Sequence, residues 1–316
     1  MPIKPPRLSL GGRIGIVSPA SPPLDPKTID RSVAVLEGFG FKTKLASNVR
    51  KRSGFLAGSD RDRAGDLMRM FQDRTIHAIF CMRGGYGSAR ILPFLDYDII
   101  RTNPKIFVGY SDITSLHCAL LKKANLVSFH GPMLHSDLVK HDLPLFTLQN
   151  LLKTLMKPAA PGSICDKTTA KKVSILRGGR VSGELLGGNL SVLATTLGTP
   201  YQPSFKGKIL FIEDLNEPLY RYDRLLTHLL NSRVLAQVAG IAVGTCTGSE
   251  EKAKQTGEKQ QTLNDILKER LLPLKIPIVT GLPFGHTSLN ATLPQGIRAT
   301  LDGEAGDLVV TDAAVR

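Results

Sequence analysis

Between residues 13 and 130, short apolar runs alternate with segments whose apolar residues recur every three to four positions. That alternation restricts the possible folds more than any other feature of the chain. Runs at 13–18, 41–46, 76–82, 105–109 and 126–130 have the length of buried strands. Between them, 25–39 carries Ile29, Val33, Leu36 and Phe39 on one helical face, and 60–72 carries Ala64, Leu67, Met68 and Phe71 on another. After Gly109, Ile113, Leu116, Ala119 and Leu120 again follow helical spacing, with Lys122 and Lys123 in the last turn. Parallel neighbours need a crossover, so this rhythm predicts a mostly parallel sheet with helices on both faces. Ligands of such sheets lie beyond the carboxyl ends of the strands. The turn at 19–23, the loop at 83–87, Ser111 and His130 all fall at those ends.

The rhythm breaks after a helix at 145–156. A chain of 316 residues suggests about two domains of ~100–200 residues each. Residues 158–172 hold Pro158, Pro161, Gly162 and a basic run, and read as a linker. The expected division is therefore an N-terminal domain at 1–157, the linker at 158–172, and a C-terminal domain at 173–316. The second half mixes short strands (173–176, 180–185, 208–212, 240–243, 276–280) with helices at 189–197, 221–230 and 262–270. It ends in a hairpin, 297–301 with 308–311. The expected class is α/β: a mostly parallel N-terminal sheet joined to a smaller mixed α+β domain.

Composition narrows the function. The net charge is +14, but no recognition-helix, zinc-knuckle or RNP-type motif accompanies it, so a basic surface drawing acidic substrates is expected rather than a nucleic-acid partner. Cys81, Cys118, Cys165 and Cys246 form no C-x-x-C pair and no Cys/His metal spacing, so neither a metal nor any other cofactor is expected. Free thiols and the lack of an apolar leader or a ~20-residue apolar span point to a cytoplasmic protein with no membrane partner. Neither G-x-G-x-x-G nor G-x-x-x-x-G-K-[ST] occurs. A polar, Lys-rich stretch at 248–261 is where a substrate-facing loop could lie.

The chemistry concentrates at strand ends. Ser111 stands where an apolar strand hands over to a helix. There a turn exposes a hydroxyl and the unpaired helix N–H groups can steady an oxyanion, although serine at a helix start also serves simply as a cap. A serine nucleophile needs a base and a carboxylate to orient it. His77 and His117 lie in apolar patterns and read as structural; His135, His141 and His228 read as surface. His130 ends a strand and could line a site. His286, in a Pro- and Gly-framed loop after the strand at 276–280, stands out. Glu213 and Asp214 directly follow an apolar strand; Asp214 suits a cap and Glu213 an orienting role. Asp112 is possible but would oppose oxyanion charge if it faced the site. A Gly84 or Gly85 N–H could join that of Asp112 in an oxyanion hole. The order Ser, acid, His matches α/β-hydrolases, yet no G-x-S-x-G exists, which argues for another fold with convergent chemistry.

Four segments in order, Arg83-Gly84-Gly85-Tyr86-Gly87, Gly109-Tyr110-Ser111-Asp112, Gly187-Gly188-Asn189-Leu190 and Gly281-Leu282-Pro283-Phe284-Gly285-His286, resemble the LD-carboxypeptidase family of serine peptidases. Phe211-Ile212-Glu213-Asp214 fits as a fifth. The resemblance implies a flavodoxin-like N-terminal domain, a smaller C-terminal domain and a site between them. It implies Ser111 as nucleophile, His286 as general base and Glu213 as its orienting acid. The implied activity is release of terminal D-alanine from muropeptide tetrapeptides in peptidoglycan recycling. A sister group hydrolyses a peptide–nucleotide antibiotic in self-immunity, but the chain has no Trp and few aromatics to hold a base. A non-catalytic module binding anionic ligands, with Ser111 only a cap, is the alternative of another class. Arg83, Tyr86, His130 and Asn189 are the substrate-binding candidates, and a homodimer is the expected assembly.

Overall fold

The computed structural model describes residues 1–248 and 261–316, so most of the Lys-rich stretch at 248–261 lies outside the described residues. The first half builds strands β1 (Arg13–Val17), β2 (Lys42–Leu45), β3 (Ala78–Cys81), β4 (Ile106–Gly109) and β5 (Ser128–His130). They pair in parallel in the order β2-β1-β3-β4-β5, the flavodoxin order. Helices α1 (Lys27–Gly38) and α2 (Asp60–Gln72) provide the first two crossovers. Ser59 and Asp62 close a capping box at the start of α2. The short helices α3 (Ser88–Ile91) and α4 (Tyr97–Thr102) follow β3. After β4 a single 3₁₀ turn, Ser111–Ile113, opens into α5 (Thr114–Ala119) and a wider last turn, Leu120–Ala124.

The second half supplies a mixed sheet. Its strands are β6 (Gly162–Ser163), β7 (Ser174–Arg177), β8 (Arg180–Asn189), β9 (Ile209–Leu215), β10 (Gly240–Thr247) and β11 (Ile278–Thr280), with β13 (Arg298–Asp302) and β14 (Asp307–Val310) following the short β12 (Leu293–Gln295). The order is β6-β14-β13-β8-β9-β10-β11-β7, parallel from β8 to β11 and antiparallel at the flanks. The two sheets in an α/β chain are as the residue pattern predicts.

Three details differ from that pattern. β12 leaves its own half and adds an antiparallel edge to the first sheet, with Leu293 opposite His130. The stretch at 158–172 carries β6 and a 3₁₀ turn, Thr169–Lys172, and buries Ile164 and Thr169. β8 runs on to Asn189, whose side chain then caps Leu190–Ala194. The larger apolar core takes residues from both halves, among them Phe107, Phe129, Phe284 and Leu293. A second core, with Leu210, Ile212, Leu226 and Ile266, is built mostly from the C-terminal half and also takes Cys118 from α5.

Candidate active site

The strand order reverses between β1 and β3, and the turns leaving these two strands, 18–23 and 82–87, lie side by side there. Ser111 follows β4, the next strand beyond β3, and meets the second of these turns at Gly84. Tyr110 is fully extended, and Ser111 itself has φ 63°, the left-handed region that non-glycine residues avoid. Tyr110, not Ser111, holds the cap position of the 3₁₀ turn, and no side chain caps it. Strain of this kind concentrates at functional sites.

Gly84 lies directly against this elbow. A Cβ there would stand 2.9 Å from Ser111 Cβ, 3.1 Å from Ser111 Oγ and 3.1 Å from the Asp112 nitrogen. Only a residue without a side chain permits that approach. The Gly84 carbonyl accepts the Ser21 N–H, and Ser21 Oγ accepts the Tyr86 N–H, so the two switch-point turns are bonded together. The Asp112 carboxylate is engaged elsewhere: it accepts the Ser88 N–H at 2.8 Å, at the start of α3. Burial raises its pKa, against the pull of those N–H bonds and of Arg63.

The Glu213–His286 pair comes from the other half. Glu213 and Asp214, both buried, lie in β9 just before its last residue, Leu215, within the strand rather than after it as the sequence pattern suggested, and the loop after β11 carries His286. Glu213 Oε2 and His286 Nδ1 are 2.6 Å apart. Gly285 makes this possible, because a Cβ there would fall 2.7 Å from Glu213 Cβ. Burial raises the Glu213 pKa, opposed by His286. Burial works against the His286 imidazolium, but the Glu213 bond and charge outweigh it and raise its pKa above the ordinary 6.5. The Tyr110 ring packs 4.9 Å from the His286 ring.

Ser111 and His286 line one cavity of about 390 Å³ with Arg83, Gly84, Gly85, Asn189 and Asp214. A second cavity, of about 430 Å³, shares Arg83, Tyr110, Leu215 and His286 with the first and adds Asp137, Lys140 and His135. The structure thus brings Ser111, Asp112, Gly84, Gly85, Glu213, His286, Arg83 and Asn189 to one place. Arg83 stands where the cavities meet; its Nη1 makes one long bond, 3.4 Å to the Pro22 carbonyl. Asn189 is held from three sides: its N–H bonds Thr114, its Nδ2 bonds Asp214, and its Oδ1 caps Val192. Asp214 takes four donors, but it does not fill the capping role expected of it: Asn189 caps the helix whose Ser191 N–H it accepts, and the helix after its strand starts at Pro218 with no side-chain cap.

Two candidates fall outside this cluster. His130 is fully buried and walled in by the rings of Tyr110, Phe211 and Phe284, because β12 covers its strand. It lines neither cavity. Tyr86 is 52% exposed and packs edge-on to Phe55. Asp137 was not singled out by sequence reasoning. Burial pushes its pKa up to about 6, its Oδ2 accepts the Met133 N–H, and Tyr110 O–H reaches its Oδ1 at 3.5 Å. No turn signature or spacing marks it. Among the described residues no group of three or more His, Cys, Asp or Glu side chains could hold a metal, and no helix is long and apolar enough to cross a membrane.

Known proteins share this arrangement of chain. The LD-carboxypeptidase N-terminal domain matches residues 14–131 and the LD-carboxypeptidase C-terminal domain matches 182–301. A Bacillus subtilis protein named "Probable murein peptide carboxypeptidase" is 37% identical over 95% of this chain and 91% of its own length. The murein tetrapeptide carboxypeptidase of Pseudomonas aeruginosa is 32% identical over 93% of this chain and 94% of its own. Among solved structures, muramoyltetrapeptide carboxypeptidase from Oxalobacter formigenes superposes with a TM-score of 0.82 at 33% identity, over 95% of this chain and 99% of that one. A microcin self-immunity protein in an inactive-mutant apo state superposes with a TM-score of 0.90 at 27% identity, over the whole of both chains.

Proposed function

This chain belongs to the LD-carboxypeptidase family, and we propose that it is a serine L,D-carboxypeptidase that removes the terminal D-alanine of muropeptide tetrapeptides. The observation that carries the reading is the 2.6 Å Glu213–His286 bond opening on the cavity that holds the strained Ser111. With Nδ1–H given to Glu213, the other ring nitrogen of His286 is left as an acceptor. It takes the Ser111 proton as Oγ attacks the scissile carbonyl carbon. The developing oxyanion is met by backbone N–H groups near Asp112 and Gly84 or Gly85. The imidazolium returns its proton to the departing amine of D-alanine. Water, deprotonated by His286, then cleaves the Ser111 ester. Glu213 stays ionised and steadies the imidazolium in both steps. Arg83, between the two cavities, is suited to the substrate's terminal carboxylate.

The setting proposed is the cytoplasm, in keeping with four cysteines that are all free thiols. Assembly as a homodimer rests on the family resemblance and is read by light scattering. The test of the activity is incubation with a muropeptide tetrapeptide and, separately, with a peptide–nucleotide conjugate. Loss of one alanine by mass from the first supports the reading. Cleavage of the conjugate alone would replace it with the self-immunity activity of the microcin relative.

A further inference from the structure

Arg63 takes no part in the chemistry just described, yet among the described residues it is the largest fully buried side chain, 1% exposed on α2. Burying a charged side chain is costly unless its donors are met; here both terminal nitrogens are paired, and only Nε, also buried, lacks a partner. Its Nη1 donates to the Pro19 carbonyl at 2.6 Å and to the Gly87 carbonyl at 2.7 Å. Its Nη2 donates to Asp60, whose other oxygen is taken by Arg90. Pro19 belongs to the turn after β1 and Gly87 to the turn after β3. A single planar guanidinium therefore ties together the two turns that border the switch point. Gly87 makes room for it, since a Cβ there would lie 2.9 Å from Nη1. Asp112, next to the nucleophile, faces the same guanidinium and holds Ser88, the residue after Gly87.

We propose that Arg63 is a positioning residue. By fixing the turns at 19–22 and 83–87 against each other, it keeps Gly84 pressed on Ser111 and the Gly84 and Asp112 N–H groups in register with the oxyanion. The proposal rests on the reading of Ser111 as nucleophile. The link from clamp to site is continuous: Arg63 holds Pro19, Ser21 holds the Gly84 carbonyl and the Tyr86 N–H, and Gly84 abuts Ser111 Oγ. The guanidinium lines neither cavity, so its loss should fall mainly on the step in which charge develops, with only a small effect on substrate binding through Arg83 of the same turn.

Arg63→Lys keeps a charge for Asp60 but loses the fork that reaches two carbonyls at once. With full-length protein and tetrapeptide substrate, kcat should fall by about tenfold or more while KM stays within about threefold. The acid limb of the kcat profile should not move, because the Glu213–His286 pair is untouched. Arg63→Ala should lose more and regain part of its kcat when ethylguanidinium is added. Ser21→Ala removes the acceptor for Tyr86 without disturbing the buried charge; a several-fold loss of kcat there supports the same link even where an Arg63 variant does not fold. Folded Arg63→Lys and Ser21→Ala proteins with kcat within about twofold of the parent would overturn the proposal, as would a change confined to KM. Ser111→Ala, run alongside, separates the two claims. Turnover surviving in Ser111→Ala defeats the nucleophile reading and this proposal with it. Turnover lost in Ser111→Ala but normal in the other variants defeats the clamp alone.

Discussion

Replacing Glu213 by Gln tests the site where its geometry is tightest. The change keeps the shape and removes the charge. Glu213 Oε2 lies 2.6 Å from His286 Nδ1, whereas Oε1 is buried with no partner. Glutamine must present either its oxygen or its NH₂ to Nδ1. If the NH₂ faces the ring, Nδ1 becomes the acceptor and the proton sits on the nitrogen that should receive the Ser111 proton. If the oxygen faces the ring, the tautomer is right, but the NH₂ takes the place of Oε1, buried without an acceptor, and the imidazolium loses its counter-charge. Either arrangement disables the base, so kcat should fall by about 10³-fold, or about 4 kcal/mol of transition-state stabilisation. The pH profile gives an independent sign. The base must be neutral, so parent activity rises with pH through a His286 pKa lifted above 6.5, and that limb should shift to lower pH in Glu213→Gln. Stability moves the other way. Glu213 and His286 both have raised folded-state pKa values, so the folded protein holds extra protons. Their contribution is complete below the unfolded values and is lost as pH rises through the folded ones. The variant should lose that part of the slope. The assay is D-alanine release from tetrapeptide between pH 5 and 9, with thermal melts over the same range. A folded Glu213→Gln protein with kcat within tenfold of the parent and an unmoved acid limb would falsify the assignment of Glu213.

Gly84→Ala places a methyl group 2.9 Å from Ser111 Cβ without demanding an unusual φ; the elbow must shift to admit it, so kcat should drop by about 10²-fold and the melting temperature should fall as well; an unaffected kcat would show that Gly84 does not border the reacting atoms. Expressed separately, residues 1–160 and 170–316 should each be inactive, since the first lacks Glu213 and His286 and the second lacks Ser111. The N-terminal piece should also be poorly soluble, because without β12 the edge of β5 is uncovered. Full activity from that piece alone would move the base to one of its own histidines.

Much of the architecture was legible because it is local. Strand-length apolar runs and helical stripes lie within 10–15 residues and need no partner to be recognised, so the parallel sheet and the placement of Ser111 and His286 after strand ends followed from the chain itself, whereas Glu213, expected just after its strand, lies inside β9. What was not legible depends on distant contacts. β12 is three residues with a proline in the middle, and only pairing with β5, more than 160 positions away, makes it a strand. The same pairing explains His130: a histidine at a strand end looks accessible until a strand from the other half covers it. Arg63 was passed over because a charged residue beside an apolar helical stripe ordinarily reaches solvent. Its burial follows from two backbone carbonyls that no sequence pattern marks.

The glycines of the motifs acquire a common cause once the contacts are known. Gly84 meets Ser111, Gly188 meets Thr114 of the nucleophile helix, and Gly285 meets Glu213; a Cβ would fall 2.9 Å or less from its neighbour at each. These are the points where a turn of the first half, a strand of the second half and the His286 loop close on one another. The left-handed Ser111 backbone costs conformational energy that nothing at Ser111 itself repays. It persists because three approaches of bare backbone, and a guanidinium behind two of the turns, leave no room to relax. A site assembled from two halves of a chain needs such contacts more than one built on a single loop. Ser111 and His286 share no segment that would keep them in register, so the register must come from how closely the backbones pack.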